Sequence, residues 1–272
     1  MIPRKSLTFG IRYTDMLTRP ALALRCILPA MAILLLACPF GQATAACSDP
    51  PGKGVIWIAC DKQGIDLRGQ DLRGAVLSRS NFSNADLRRT KLSRSDFSFA
   101  NLAHARLDHA RLDRARFLSA NLNGASLNSA YLYKADFSRA QLSGATLDKA
   151  NLSAALLYQT NLNKASLRQA LLRHSNLSQA VLDDANLSGS DLSQANLEQA
   201  SLENARLDHA ILHGAKLANS SLLSASFKDA DLSEANLVDA ALDDTVLEGA
   251  RLDKAQWIDR RRCREDSVGQ CR

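Results

Sequence analysis

Few side chains in this sequence can do chemistry. Five histidines (His104, His109, His174, His209, His213) and six cysteines (Cys26, Cys38, Cys47, Cys60, Cys263, Cys271) are the candidates for acid–base, nucleophilic or metal chemistry. His209 and His213 lie four apart, which makes at most a weak metal pair. The four later cysteines can form disulfides or, at wide spacing and without a nearby histidine, a zinc site. No glycine-rich phosphate loop and no nucleophile elbow is present, and aromatic residues are 5% of the chain, too few for a base-stacking surface. The sequence therefore predicts no catalytic constellation, no metal and no cofactor.

A period of five positions these residues. Leu or Phe occurs at every fifth position from Leu67 to Leu252, 38 in succession, of which five are Phe (Phe82, Phe97, Phe117, Phe137, Phe227). Two residues before each stands Ala in 28 cases and Ser or Thr in eight; Ile65 and Gln70 are the exceptions. Leucines five apart drift around an α-helix and alternate faces on a flat strand, so neither element buries them. A chain that bends about 90° every five residues does bury them. Each unit is then one side of a square, the Leu/Phe points to the axis, and the small residue fills a tight corner. Four sides make a coil of 20 residues, so the series makes nine to ten coils in a rod roughly 45 Å long at the ~4.8 Å strand spacing. All six prolines lie before residue 52 and interrupt no ladder.

Units such as Ala195–Gln199 (Ala-Asn-Leu-Glu-Gln) and Ala230–Glu234 (Ala-Asp-Leu-Ser-Glu) resemble the pentapeptide-repeat family over about 190 of the 272 residues. The resemblance implies an all-β, right-handed quadrilateral β-helix (solenoid). The same likeness, to exported cysteine-bounded bacterial members, implies disulfide-bounded end caps.

Residues 20 apart stack on one side. Asn81, Asn101, Asn121, Gln141 and Asn161 form an amide column; Asp96, Arg116 and Asp136 form an alternating charge column; Phe97, Phe117 and Phe137 stack inside. Tyr131 and Tyr133 share one side, Leu156 and Tyr158 lie on the next side one coil on, and Leu171 lies further along the first side. This gathering of exposed aromatic and aliphatic groups is the candidate partner-binding site. Residues 61–170 carry 17 basic and 9 acidic groups (net +8), and residues 171–256 carry 6 and 14 (net −8), so the rod is a dipole.

The ends define the compartment. Arg4, Lys5, Arg12, Arg19 and Arg25 precede the apolar run Ile27–Phe40, followed by Ala43-Thr44-Ala45. This reads as a signal peptide over 1–45. The run is short for a membrane span, so none is expected after cleavage. Translation from Met16 rather than Met1 would give a more typical length. Lipid attachment at Cys38 or Cys47 is an alternative. Cys47, Cys60, Cys263 and Cys271 flank the repeat, two at each end, and a rod of this length allows only the pairs Cys47–Cys60 and Cys263–Cys271. The organisation expected is an N-terminal cap over 46–64, the β-helix over 65–256 and a C-terminal cap over 257–272, with Trp257 continuing the inward register.

These features predict a non-enzymatic scaffold of the bacterial envelope, periplasmic or secreted. It binds an unknown protein partner through flat sides and is monomeric or weakly self-associating through its dipole. Two alternatives come from the resemblance. Some members mimic duplex DNA and protect DNA gyrase, and others are exported effectors. DNA mimicry needs acidic faces, whereas this chain carries +6 overall and a basic N-terminal half. Nucleic acid is not an expected partner, because Arg68, Arg73, Arg88 and Arg89 are interleaved with Asp66, Asp71 and Asp86.

Overall fold

The computed structural model describes residues 47–272. The expected signal peptide, both candidate start sites, Cys26 and Cys38 lie outside the described residues.

From Ile56 onward the backbone pairs with itself in parallel at a separation of 20, from Ile56↔Val76 through to Asn236↔Gln256. Each bridge is one residue long, so the ladders consist of short parallel contacts on four sides rather than extended strands. Side 1 starts at residue 56 and recurs every 20 residues; sides 2, 3 and 4 start at 61, 66 and 71. The pairing repeats without a break. Asp86 N–H donates to Ile65 O (2.9 Å) in the coil before, and Leu87 N–H (2.7 Å) and Arg89 N–H (3.0 Å) donate to Arg106 O and Asp108 O in the coil after.

Each corner is a β-turn. The N–H of the small corner residue donates to the C=O of the preceding Leu or Phe, as from Ala85 to Phe82 (3.0 Å), and the residue before the corner takes a left-handed φ, as Asn84 does at 59°. Glycine suits this position, but Arg89, His109 and many others also occupy it. The ladder on both sides of each turn holds them there.

The axis is dry. Every Leu and Phe of the series from Leu67 to Leu237 is at most 1% exposed. Phe97, Phe117 and Phe137 stack with ring centroids 5.2 and 4.6 Å apart, and Phe82 and Trp57 extend the aromatic column toward the N-terminus. A hydroxyl is tolerated at a buried corner only because it finds a carbonyl. Thr90, Ser95, Ser175, Ser190 and Ser220 donate to the Leu three residues back, and Ser80, Thr160 and Thr245 donate to a carbonyl of the preceding coil. Ile65 and Gln70 break the small-residue rule in the first coil, where the corner has a described neighbour on one side only; Gln70 is exposed.

At the N-terminus the parallel bridges begin at Ile56, and Gly54 N–H already donates to Arg73 O (3.0 Å), inside the stretch read from sequence as a cap. Trp57 is fully buried two steps before Leu67 in the inward series. Lys62 takes the step between. Its ammonium lies 3.9 Å from the Trp57 ring centroid and donates to Cys47 O (2.6 Å). Trp57 Nε1 donates to Asp49 O (3.2 Å), and a Cys47–Cys60 disulfide closes this segment. At the other end the chain turns back and pairs antiparallel, Gln256 with Arg262 and Arg251 with Val268, and Cys263 is bonded to Cys271.

Candidate interaction surface

Tyr131 and Tyr133 both point outward from side 4, with ring centroids 6.4 Å apart, and Lys134 Nζ sits 5.2 Å from the Tyr133 ring. Tyr131 (41%), Leu156 (46%) and Leu171 (38%) are exposed, though Phe99 is more so (55%). Asn151 bridges Tyr131 and Leu171 along side 4, so the apolar column is interrupted there. Tyr158 turns toward the next coil, where its hydroxyl donates to Gln179 Oε1 (3.0 Å). The two-tyrosine pair is thus a direct contact, while Leu156, Tyr158 and Leu171 border it.

The neighbouring sides are ordered by polar ladders. Asn81 donates to Asp61, Asn101 to Asn81 and Asn121 to Asn101, and Asn161 donates to Gln141; no bond joins Gln141 to Asn121. A second ladder, Arg139–Gln159–Gln179–Gln199, runs along the left-handed corner positions of side 1. The same 20-residue register contains it, yet its residues look like unrelated polar positions until the turn is placed. The Asp96–Arg116–Asp136 column is aligned in the backbone, but its carboxylates are taken by their own units: Asp96 accepts from Ser98 and Asp136 from the Ser138 N–H. The short turn outcompetes the long, exposed guanidinium.

Acidic groups are held ionised. The side-chain hydrogen bonds of Arg68 and Arg73 pull the Asp66 and Asp71 carboxyls down to about 2. Burial opposes ionisation of Asp148 and Asp191, but hydrogen bonds from Arg168 and Ser166, and from Ser193 and Arg173, lower both below the usual carboxylate range. A folded pKa below the unfolded value gives stability that is full above the ordinary carboxylate range and is lost as pH falls through the folded value. The thermal midpoint is therefore expected to stay level from pH 8 to 5 and to fall between about 4 and 2. A titration of melting temperature checks this; a fall beginning near pH 6 would assign the acid response to histidine instead.

The histidines are engaged separately. His209 faces Asp229 (3.9 Å), and His213 contacts Ser233 (2.9 Å) and Glu234 (4.0 Å). The two share no partner. A shallow recess of about 910 Å³ on side 3 is lined by Arg68, Arg88, Arg89, Arg106 and His109, with Asp66 and Asp108. It is an open surface depression between turns, and Asp66 and Asp86 neutralise Arg68 and Arg88. No described helix is long and apolar enough to cross a membrane.

This four-sided coil with its period of five is the architecture of a repeat family. The model of pentapeptide repeats matches in eight copies, at residues 63–98, 95–132, 110–148, 135–173, 150–189, 160–199, 185–222 and 225–256, and the chain belongs to that family. Among solved structures it is similar to HetL, a pentapeptide repeat protein involved in heterocyst differentiation regulation from the cyanobacterium Nostoc sp. strain PCC 7120. Identity is 32%, coverage 77% of this chain and 92% of that one, and TM-score 0.65. It is also similar to QnrB1, a plasmid-mediated fluoroquinolone resistance protein, at 18% identity, 74% and 91% coverage and TM-score 0.49. The likeness to HetL implies the right-handed form of the quadrilateral β-helix. No curated protein sequence is significantly similar.

Proposed function

We propose that this chain is a non-enzymatic interaction scaffold of the bacterial envelope. It is a right-handed rod of nine to ten coils, exported to the periplasm or secreted, with disulfide-bounded ends at Cys47–Cys60 and Cys263–Cys271. It binds a protein partner through its flat sides. The observation that carries the reading is the Tyr131–Tyr133 pair, exposed at Tyr131 and half-buried at Tyr133, on a regular face whose interior is filled. Aromatic anchors on a rigid platform lose little entropy on binding, whereas a filled axis gives a substrate nowhere to be enclosed. Tyr158, Leu156 and Leu171 supply the border of that contact. The two bonded cysteine pairs support an oxidising compartment.

Two measurements test this. The intact mass of natively expressed protein is expected to match a chain beginning at Ala46 with four hydrogens missing before reduction. A lipid adduct would mean an anchor at Cys38 or Cys47. An unprocessed mass with free thiols would remove the envelope reading and favour the gyrase-interacting one. Separately, changing Tyr131, Tyr133 and Tyr158 together to Ser is expected to weaken partner capture by 2 kcal/mol or more, roughly thirtyfold, with the melting temperature unchanged. Retention of every partner would reject the site.

A further inference from the structure

We propose that the C-terminal end of the solenoid carries an acidic, strand-sized notch over residues 241–249 that takes an extended cationic peptide segment by backbone pairing. Leu242 and Leu247 are the two members of the inward series from Leu67 to Leu252 that are only partly buried. They sit on sides 2 and 3 of the last coil. One coil earlier, the N–H groups of Leu222, Ser224, Phe227 and Asp229 donate to Ala241, Asp243, Val246 and Glu248. The corresponding N–H groups of Leu242, Asp244, Leu247 and Gly249 donate to no described residue.

The folded-back tail supplies the missing acceptors only on the other two sides. Leu252 N–H donates to Ser267 O (2.8 Å) and Trp257 N–H to Arg261 O (2.8 Å), and Gly269 N–H on Ala250 O (2.9 Å) ends the cover beside side 3. The result is a step one strand high, with an apolar floor at Leu242 and Leu247 and the tail as its wall. A second rod does not fit flush. Continued in register, it would place its own chain where Gln256, Trp257 and Val268 already stand. A single segment of about ten residues does fit, at about 3.3 Å per residue along two sides.

An open edge is a template for an added strand. Charge selects which strand. The stretch 241–249 contains Asp243, Asp244 and Glu248 and no basic residue. Glu248 pairs with Lys228 (3.3 Å), while Asp243 and Asp244 make no ion pair among the described residues. This rim repels an acidic strand and attracts a basic one. The corner at Thr245 further requires a segment that bends, with a small residue there and an apolar residue five apart to cover the two leucines.

The test uses the full chain and a fluorescein-labelled peptide of two Ala-Lys-Leu-Ser-Arg units, followed by anisotropy. Saturable binding is expected, with slowed amide exchange at Leu242, Asp244, Leu247 and Gly249. Binding is expected to weaken by about tenfold or more in the double variant D243K/D244K. A peptide of equal charge with each Lys methylated on its backbone nitrogen cannot donate to Ala240 O and Thr245 O as Ala241 and Val246 N–H donate to Ser220 O and Ala225 O one coil earlier, and it is expected to bind more weakly by a similar factor. Equal binding of the N-methylated peptide would reduce the effect to charge attraction and overturn the proposal. So would no binding, or binding indifferent to D243K/D244K.

Discussion

Replacing Phe117 by Ala is expected to lower stability by about 3–5 kcal/mol, seen as a fall in the denaturant midpoint. The ring is fully buried and stacks within 3° of parallel on both Phe97 and Phe137. Truncation leaves a cavity that the ladder cannot close, because backbone bonds 20 residues apart fix the coil spacing on all four sides. Phe227 is equally buried but belongs to no aromatic stack among the described residues, so Phe227→Ala is expected to cost less, by about 1–3 kcal/mol for the two aromatic pairs that Phe117 makes. The position matters as well. Stability in a solenoid is close to a sum of coil and nearest-neighbour terms, so a mid-rod defect is expected to divide one transition into two. Equal losses at Phe117 and Phe227, each with a single sharp transition, would show that burial alone sets the cost and that the rod unfolds as one unit.

The architecture was readable because the axis admits so few side chains. Leu/Phe at every fifth residue, with Ala two before, is a direct record of which positions face inward. Phe97, Phe117 and Phe137 stack as their spacing implies. The outward positions are less constrained, so they record less. The amide column from Asn81 to Asn121 follows from register alone. The failure of Arg116 to pair with Asp96 or Asp136 depends on a competition with nearby turn hydroxyls and N–H groups that a column of charges does not reveal. The Gln159–Gln179–Gln199 ladder was hidden for a different reason. Its members occupy the left-handed corner positions, where Arg89, His109 and many other residue types are also found, so no residue type marks the turn. The N-terminus shows the same limit. Lys62 breaks the inward series, so the sequence pattern starts the coil at Ile65, while the structure carries it back past Lys62 to the buried Trp57. The tyrosine group is intermediate. Register puts Tyr131 beside Tyr133, but only the side-chain geometry turns Tyr158 toward Gln179.

Removing residues 257–272 is expected to give concentration-dependent, end-to-end assemblies beyond any weak association of the intact chain. In the intact structure the tail stands where a further coil would lie on sides 4 and 1, so the open edge on sides 2 and 3 is too short and too recessed for another rod to engage. Truncation after Gln256 takes away Trp257, Arg262, Val268 and the Cys263–Cys271 bond together, leaving unpaired backbone on all four sides above a leucine floor. A complete coil edge of this kind templates its own continuation. The charge distribution adds direction, since a net +8 over residues 61–170 and −8 over 171–256 set the basic half of one rod against the acidic half of the next. That contribution decays with ionic strength over a Debye length of about 10 Å at 0.1 M salt, whereas backbone pairing does not. Sedimentation velocity at rising salt therefore separates the two. Assemblies of the truncated chain that form in low salt and persist at high salt place the barrier in the tail's occupation of the edge; assemblies that dissolve with salt place it in charge. A truncated chain that keeps its fold and stays monomeric at every concentration would show that the tail is not what holds the ends apart. The acidic rim of Asp243, Asp244 and Glu248 would then have to do so by itself.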